Sequence, residues 1–292
     1  MIQDPLGDID YDERGQGPTL VLVPGSCSTG AAWRPVISQW QDRYRCVTTS
    51  LPGYGSTAER RTPATADMAH AAEVLEAVVR RAAERAEGPV HVVGHSAGGT
   101  AAIAMALRGR VPVASLTVME PPLPELLRHV GEHHHYAAFR DMTDAYFKAF
   151  RAGNQAAIET MIDFYGGAGT FAGWPQKVRD YAIATTPVNL LDWVCAYGFH
   201  LTSASLARIE VPTLVMCGAT SHPAMKRATE LLARSLANGR LATVEGAAHF
   251  MISTHAKAVA DEVQCHVAGG RASAPDLLAH SPKATGESAR QL

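Results

Sequence analysis

The chain has 292 residues, enough for one α/β domain carrying an insertion, or two domains at most. Hydrophobic residues make up 47% and charged residues 18%, the balance of a compact core-forming protein, and a formal net charge of -2 leaves no basic footprint for nucleic acid or an anionic membrane. The opening Met1-Ile2-Gln3-Asp4-Pro5 lacks a secretory pattern and no apolar run reaches membrane-span length, so a cytoplasmic location is expected.

Strand and helix signals alternate along the first part of the chain, as a parallel sheet with crossover helices requires. Residues 19–23 read as a buried strand ending at Pro24-Gly25. Trp33, Val36, Ile37 and Trp40 then mark one face of a helix. A second strand at 46–49 leads into the turn at residues 51–55, and the alanine-rich stretch 66–85 predicts a helix. The β-branched run Val90-His91-Val92-Val93 enters Gly94-His95-Ser96-Ala97-Gly98-Gly99 and a further alanine-rich helix to residue 107. The next strand, 113–119, ends at Glu120-Pro121-Pro122.

Between residues 123 and 206 only helices and loops are expected, with an aromatic face on Tyr136, Phe139, Thr143, Tyr146, Phe147 and Phe150. The glycines of 166–174 predict a loop or hinge. The β/α rhythm resumes with a strand at 213–217, a helix at 223–236, a strand at 241–244, the turn Glu245-Gly246-Ala247-Ala248-His249 and a last helix through Val267. Four segments follow: a first core part at 1–122, a helical cap at 123–206, a second core part at 207–268, and a disordered tail at 269–292. The five cysteines, Cys27, Cys46, Cys195, Cys217 and Cys265, are odd in number and widely spaced, which argues for reduced, packed thiols rather than a disulfide framework or a zinc site.

The segment from Gly94 to Gly98 fits G-x-S-x-G, a sharp strand-to-helix turn that projects the Ser96 hydroxyl from the sheet edge. Four β-formers before it and an alanine helix after it make this more than a chance match. With it come Val23-Pro24-Gly25-Ser26, Leu51-Pro52-Gly53-Tyr54-Gly55-Ser56 and Gly246-Ala247-Ala248-His249-Phe250. Together, over about residues 6–267, these motifs resemble the α/β-hydrolase family. That resemblance implies a mostly parallel central sheet flanked by helices, with the helical cap inserted after the strand that ends at Glu120.

The resemblance makes Ser96 the nucleophile and His249 its base. A serine hydroxyl needs an adjacent imidazole at neutral pH. His95 is expected to pack beneath the turn, and the consecutive His133, His134 and His135 cannot face one site on a helix. Most family members place the third residue, an aspartate, in the turn after the strand at 213–217. Here that turn reads Gly218-Ala219-Thr220-Ser221, with no carboxylate. The family's second solution takes the acid from the preceding strand end, which points to Glu120; Glu245 and Asp192 are weaker candidates. The Gly218-Ala219-Thr220-x-x-Pro223 turn with Glu120-Pro121-Pro122 looks like zearalenone lactonases, Ser-His-Glu members that open a macrocyclic ester.

By position, the Ser26 and Ala97 amides would form the oxyanion hole. Trp174, Trp193 and Cys27 are expected to contact substrate. The expected activity is hydrolysis of a hydrophobic ester or lactone, with a small-molecule partner, no cofactor and no metal; a homodimer stays open. The same triad can also run C–C bond hydrolysis, perhydrolysis or cyanohydrin cleavage, and a binding protein can retain it. Serine rather than aspartate at position 96 argues against dehalogenase and epoxide hydrolase chemistry.

Overall fold

The computed structural model describes residues 1–269. The expected disordered tail lies outside the described residues except for Gly269. Two short strands, β1 (Ile2–Asp4) and β2 (Gly7–Ile9), pair as an antiparallel ribbon. Seven more among the described residues build the main sheet: β3 (Asp12–Arg14), β4 (Thr19–Val23), β5 (Arg45–Thr48), β6 (Val90–His95), β7 (Ser115–Met119), β8 (Thr213–Gly218) and β9 (Gly239–Val244). Their order is β3-β5-β4-β6-β7-β8-β9. Only β3 is antiparallel to its neighbour, pairing Asp12–Arg14 against Cys46–Thr48. The other pairs are parallel.

The inner parallel strands β4, β6, β7 and β8 are buried on both faces, so they read as apolar runs, whereas edge strand β9 alternates. Their side chains nevertheless divide with the two-residue period of a strand. Val21, Val23, Val92, Leu116, Val118 and Val215 face one core, with helices α2 (Met68–Ala83) and α3 (Ala97–Arg108). Leu20, Leu22, Val93, Met119, Leu214 and Met216 face the other, with Trp33, Trp40 and the C-terminal helices. On that second face lies α1 (Arg34–Trp40), whose Trp40 indole donates to the Ala260 carbonyl at 3.1 Å.

Between β7 and β8 the chain forms helices only: α4 (Pro124–His129), α5 (His133–Arg151), α6 (Glu159–Gly166), α7 (Thr170–Gly173), α8 (Gln176–Ala184), α9 (Thr186–Gly198) and α10 (Ser203–Leu206). The expected loop at 166–174 is therefore partly helical. Asp163 explains this, because its carboxylate accepts the Gly169 and Phe171 amides, each at 2.8 Å, and ties the glycine-rich turn into α7. After β8 come α11 (Pro223–Ser235), α12 (Met251–Thr254) and α13 (Ala256–Val267). The expected single last helix is split at His255, whose φ of -131° and ψ of 40° are not helical. No helix among the described residues is long and apolar enough to cross a membrane.

Candidate active site

The sheet places the reactive side chains through its own hydrogen bonds. Ser96 follows β6, and its N–H donates to the Met119 carbonyl at 2.8 Å. Glu120 follows β7, and its N–H donates to the Met216 carbonyl at 3.1 Å. Both residues are thus the last rungs of the parallel ladder at the carboxyl ends of neighbouring strands, where α/β sheets gather ligands. Both also carry left-handed backbones, with φ of 53° at Ser96 and 44° at Glu120. Cys27 does too, at 58°. Such conformations cost on the order of 1–3 kcal/mol each and persist where the surroundings hold them.

The glycines around Ser96 answer to crowding. A Cβ on Gly98 would lie 2.4 Å from the Pro24 carbonyl oxygen, and one on Gly25 would lie 2.9 Å from the Ser96 Cβ. The loop of residues 24–28 is therefore pressed against the turn that carries Ser96. Ala97 opens α3, so its N–H belongs to a first turn with no intrahelical acceptor.

His249 lies in the turn after β9, in hydrogen-bonding contact with both of the other residues. Its Nε2 is 3.0 Å from Ser96 Oγ, and its Nδ1 is 2.8 Å from Glu120 Oε2. Glu120 is fully buried. Its second oxygen, Oε1, accepts the Gly218 N–H at 2.7 Å and the Ser221 hydroxyl. Burial works to raise the Glu120 carboxyl, but the His249 hydrogen bond and charge, with the Ser221 and Gly218 donors, hold it below the ordinary glutamate range. Ser221 occupies the position where the resemblance expects an aspartate, and its hydroxyl donates to Glu120 instead.

Two neighbours fix the imidazole. The His95 ring, buried beneath the turn, places its Nε2 2.8 Å from the His249 carbonyl oxygen, which makes that nitrogen the donor. Burial, with the His249 charge, lowers the His95 pKa to about 3, so His95 is neutral. On the other side the Tyr165 ring of α6 stacks on the His249 ring, with centroids 4.2 Å apart and planes 18° apart.

Above these groups lies a cavity of about 1190 Å³. The core contributes Ser26, Cys27, Ser96, Ala97, His249 and Phe250 to its lining; the helical insertion contributes Met161, Ile162, Tyr165, Trp174, Asn189, Asp192 and Trp193, among others. All three residues expected at the substrate, Trp174, Trp193 and Cys27, line it. Burial pushes the Cys27 thiol up to about 12, so it is a neutral wall group. Trp193 is itself buried, with its indole N–H 3.3 Å from the Met161 sulfur. Exposed Arg34 and Lys177 also line the cavity.

Glu245 and Asp192, the other acid candidates, do not contact His249. Glu245 is exposed. Asp192 accepts from Ser26, Tyr54 and Arg61 instead. Burial raises the Asp192 carboxyl, while the Arg61 charge and the Ser26 and Tyr54 hydroxyls pull against it. His133, His134 and His135 begin α5, and no group of three potential metal ligands occurs among the described residues. His222 caps α11, its Nδ1 accepting the Ala224 N–H at 3.2 Å.

The model of the alpha/beta hydrolase family matches residues 20–262, which include every group of this constellation. The chain belongs to the alpha/beta hydrolase family. Among curated relatives, this family member is 35% identical over 116 residues to a pimeloyl-[acyl-carrier protein] methyl ester esterase of Vibrio vulnificus, a match covering 39% of this chain and 42% of the esterase. It is 27% identical over 259 residues to the polyketide synthase ThaQ of Burkholderia thailandensis, covering 84% of this chain and 11% of the synthase. The matched segments thus span less than half the length of either relative. Among solved structures, a thermophilic esterase from Thermogutta terrifontis superposes with a TM-score of 0.71 at 20% identity, covering 91% of this chain and 96% of the other. At that identity the likeness concerns the fold.

Proposed function

We propose that this alpha/beta hydrolase is a serine carboxylic ester hydrolase acting on a hydrophobic ester or lactone through an acyl-enzyme. The observation that carries the reading is the unbroken chain of hydrogen bonds from Ser96 Oγ through His249 to buried Glu120, at the base of a largely apolar cavity. The esterase among its relatives supports the same class.

In this mechanism Ser96 Oγ attacks the substrate carbonyl carbon as His249 Nε2 takes the hydroxyl proton. Glu120 holds the Nδ1–H tautomer and stabilises the imidazolium. The carbonyl oxygen becomes an oxyanion, facing the Ser26 and Ala97 amides. Collapse breaks the ester C–O bond, and His249 returns its proton to the departing alkoxide oxygen. In a lactone that oxygen stays tethered to the acyl group. Water then attacks the acyl-enzyme, giving its proton to His249, and the Ser96–acyl bond breaks as His249 passes that proton to Ser96 Oγ, releasing the acid and restoring the hydroxyl. Each lost oxyanion donor typically costs about 3–4 kcal/mol of barrier. Trp174, Trp193 and Cys27 enclose the apolar part of the substrate.

Purified protein should hydrolyse p-nitrophenyl butyrate, and Ser96→Ala should lose about 1000-fold or more of kcat while keeping its fold. Equal rates for wild type and Ser96→Ala would overturn the proposal.

A further inference from the structure

Asp192 lies on α9, in the helical insertion, yet its three hydrogen-bond donors all come from the core. Its Oδ2 accepts the Ser26 hydroxyl at 2.6 Å and the Tyr54 hydroxyl at 2.6 Å. Its Oδ1 accepts Arg61 Nη1 at 2.8 Å. Arg61 is buried, with its side chain 3% exposed, and is gripped from its other side by Glu59, with Nη2–Oε2 at 2.6 Å and Nε–Oε1 at 2.9 Å. The Pro52 carbonyl accepts another Arg61 N–H at 3.1 Å. Ser26 belongs to the loop after β4, and Tyr54 and Arg61 to the connection between β5 and α2, so one carboxylate ties two core loops to the insertion.

The first of those loops matters most. It lies against Ser96 at Gly25, and Cys27, next to Ser26, holds a left-handed φ of 58°. A non-glycine residue keeps that conformation only under outside constraint. Two side-chain bonds supply it: Ser28 Oγ to the Gly25 carbonyl at 2.8 Å, within the loop, and Ser26 Oγ to Asp192, across to the insertion. Electrostatics fit the same purpose. A bare carboxylate beside a developing oxyanion would oppose its formation, and the Arg61 guanidinium, shared between Asp192 and Glu59, offsets part of that charge.

We propose that Asp192 is a positioning residue that anchors the Ser26 hydroxyl and thereby holds the Ser26 backbone N–H on the oxyanion, so that the helical insertion completes the catalytic machinery as well as walling the cavity. The proposal rests on the ester-hydrolase reading above. Amide donors act on an oxyanion over a narrow range of distance, and a misplacement of about 1 Å can cost about 100-fold.

The test compares p-nitrophenyl butyrate turnover with the affinity for an alkyl trifluoromethyl ketone, whose Ser96 hemiketal carries an oxyanion. In Asp192→Ala, kcat and the ketone affinity should fall in parallel by about 10–100-fold, with KM within about twofold of wild type. Ser26→Ala keeps the backbone donor and loses only the tether, and should move both quantities in the same direction. The double variant should be no worse than Asp192→Ala, because both substitutions remove one connection. Asp192→Asn, which keeps an oxygen acceptor for Ser26, should lie between Asp192→Ala and wild type.

If Asp192→Ala fails to fold, Ser26→Ala decides. Unchanged kcat and ketone affinity in folded Ser26→Ala overturn the proposal, whatever the melting temperatures do. A wild-type protein that neither forms the hemiketal nor cleaves the ester overturns the parent reading and this one together. A wild type that does both, with Ser26→Ala its equal, overturns this one alone.

Discussion

Ser221 shows how one side chain can change its task without leaving the site. In the position of the family's usual aspartate it cannot carry charge, but its hydroxyl donates to Glu120 Oε1. Removing it in Ser221→Ala takes away a donor that favours the ionised carboxylate. The Glu120 pKa should therefore rise, and kcat/KM should fall by roughly tenfold, measured by steady-state kinetics. The turn bearing Ser221 is also tied to the turn bearing His249, since Thr220 N–H and Oγ1 both donate to the Ala247 carbonyl, at 2.9 and 2.8 Å. Glu120→Ala should cost about 10,000-fold in kcat. Adding Ser221→Asp to that variant should restore at least about tenfold, because it returns a carboxylate beside the imidazole. Steady-state kinetics of the single and double variants check this, and no recovery would mean that a carboxylate at 221 does not reach His249 Nδ1.

At the scale of elements, the turn from β6 through Ser96 into α3 is the least forgiving part of the chain. Gly98→Ala would press a methyl carbon against the Val23 and Pro24 carbonyls, and backbone atoms cannot swing aside as a flexible side chain would. Overpacking of this kind costs about 1–3 kcal/mol, and here it also pushes on the oxyanion loop. The expected outcome is a lower denaturant midpoint together with a lower kcat; an unchanged midpoint would contradict it. This element was legible in the sequence because its glycines, its β-branched lead-in and its alanine helix all agree. Glu120 was legible for a different reason: Ser221 stands where the resemblance expects an aspartate, and the family's second solution points to the strand end at Glu120, ahead of Glu245 and Asp192. Asp192 was read as a spare acid, since its true partners Ser26, Tyr54 and Arg61 are distant in sequence and meet it only in the fold. Tyr165 left no signal, because stacking on His249 depends on the path of α6. The strands β1, β2 and β3 escaped as well. Each has three residues, with aspartates at positions 4, 8 and 12, and they hold together by pairing rather than by an apolar run.

Over the whole molecule, buried ionisable groups set the response to acid. Folded His95 binds a proton only near pH 3, whereas the unfolded side chain does so near its ordinary value of 6.5. Below pH 6.5 the unfolded state therefore takes up the proton first, and stability falls as the pH drops through that interval. Glu13 acts in the same direction lower down. Burial opposes its ionisation, but the Tyr11, Arg45 and Arg85 donors outweigh it and lower its pKa from 4.5 to about 2. Its stabilisation is present above 4.5 and is lost as the pH falls toward 2. Glu120, also held low, follows the same sign. The thermal midpoint should decline steadily from pH 6.5 to 3, and Glu13→Gln should flatten the decline only below about 4.5. A midpoint independent of pH over that range would contradict this account.

Because Glu120 closes β7 instead of following β8, the proposed nucleophile, the proposed acid and the Ser26 loop all lie in the first 120 residues, ahead of the helical insertion. His249 comes after it. On the proposed mechanism, a chain that stops short of His249 holds Ser96 and Glu120 but lacks the imidazole that would activate the serine.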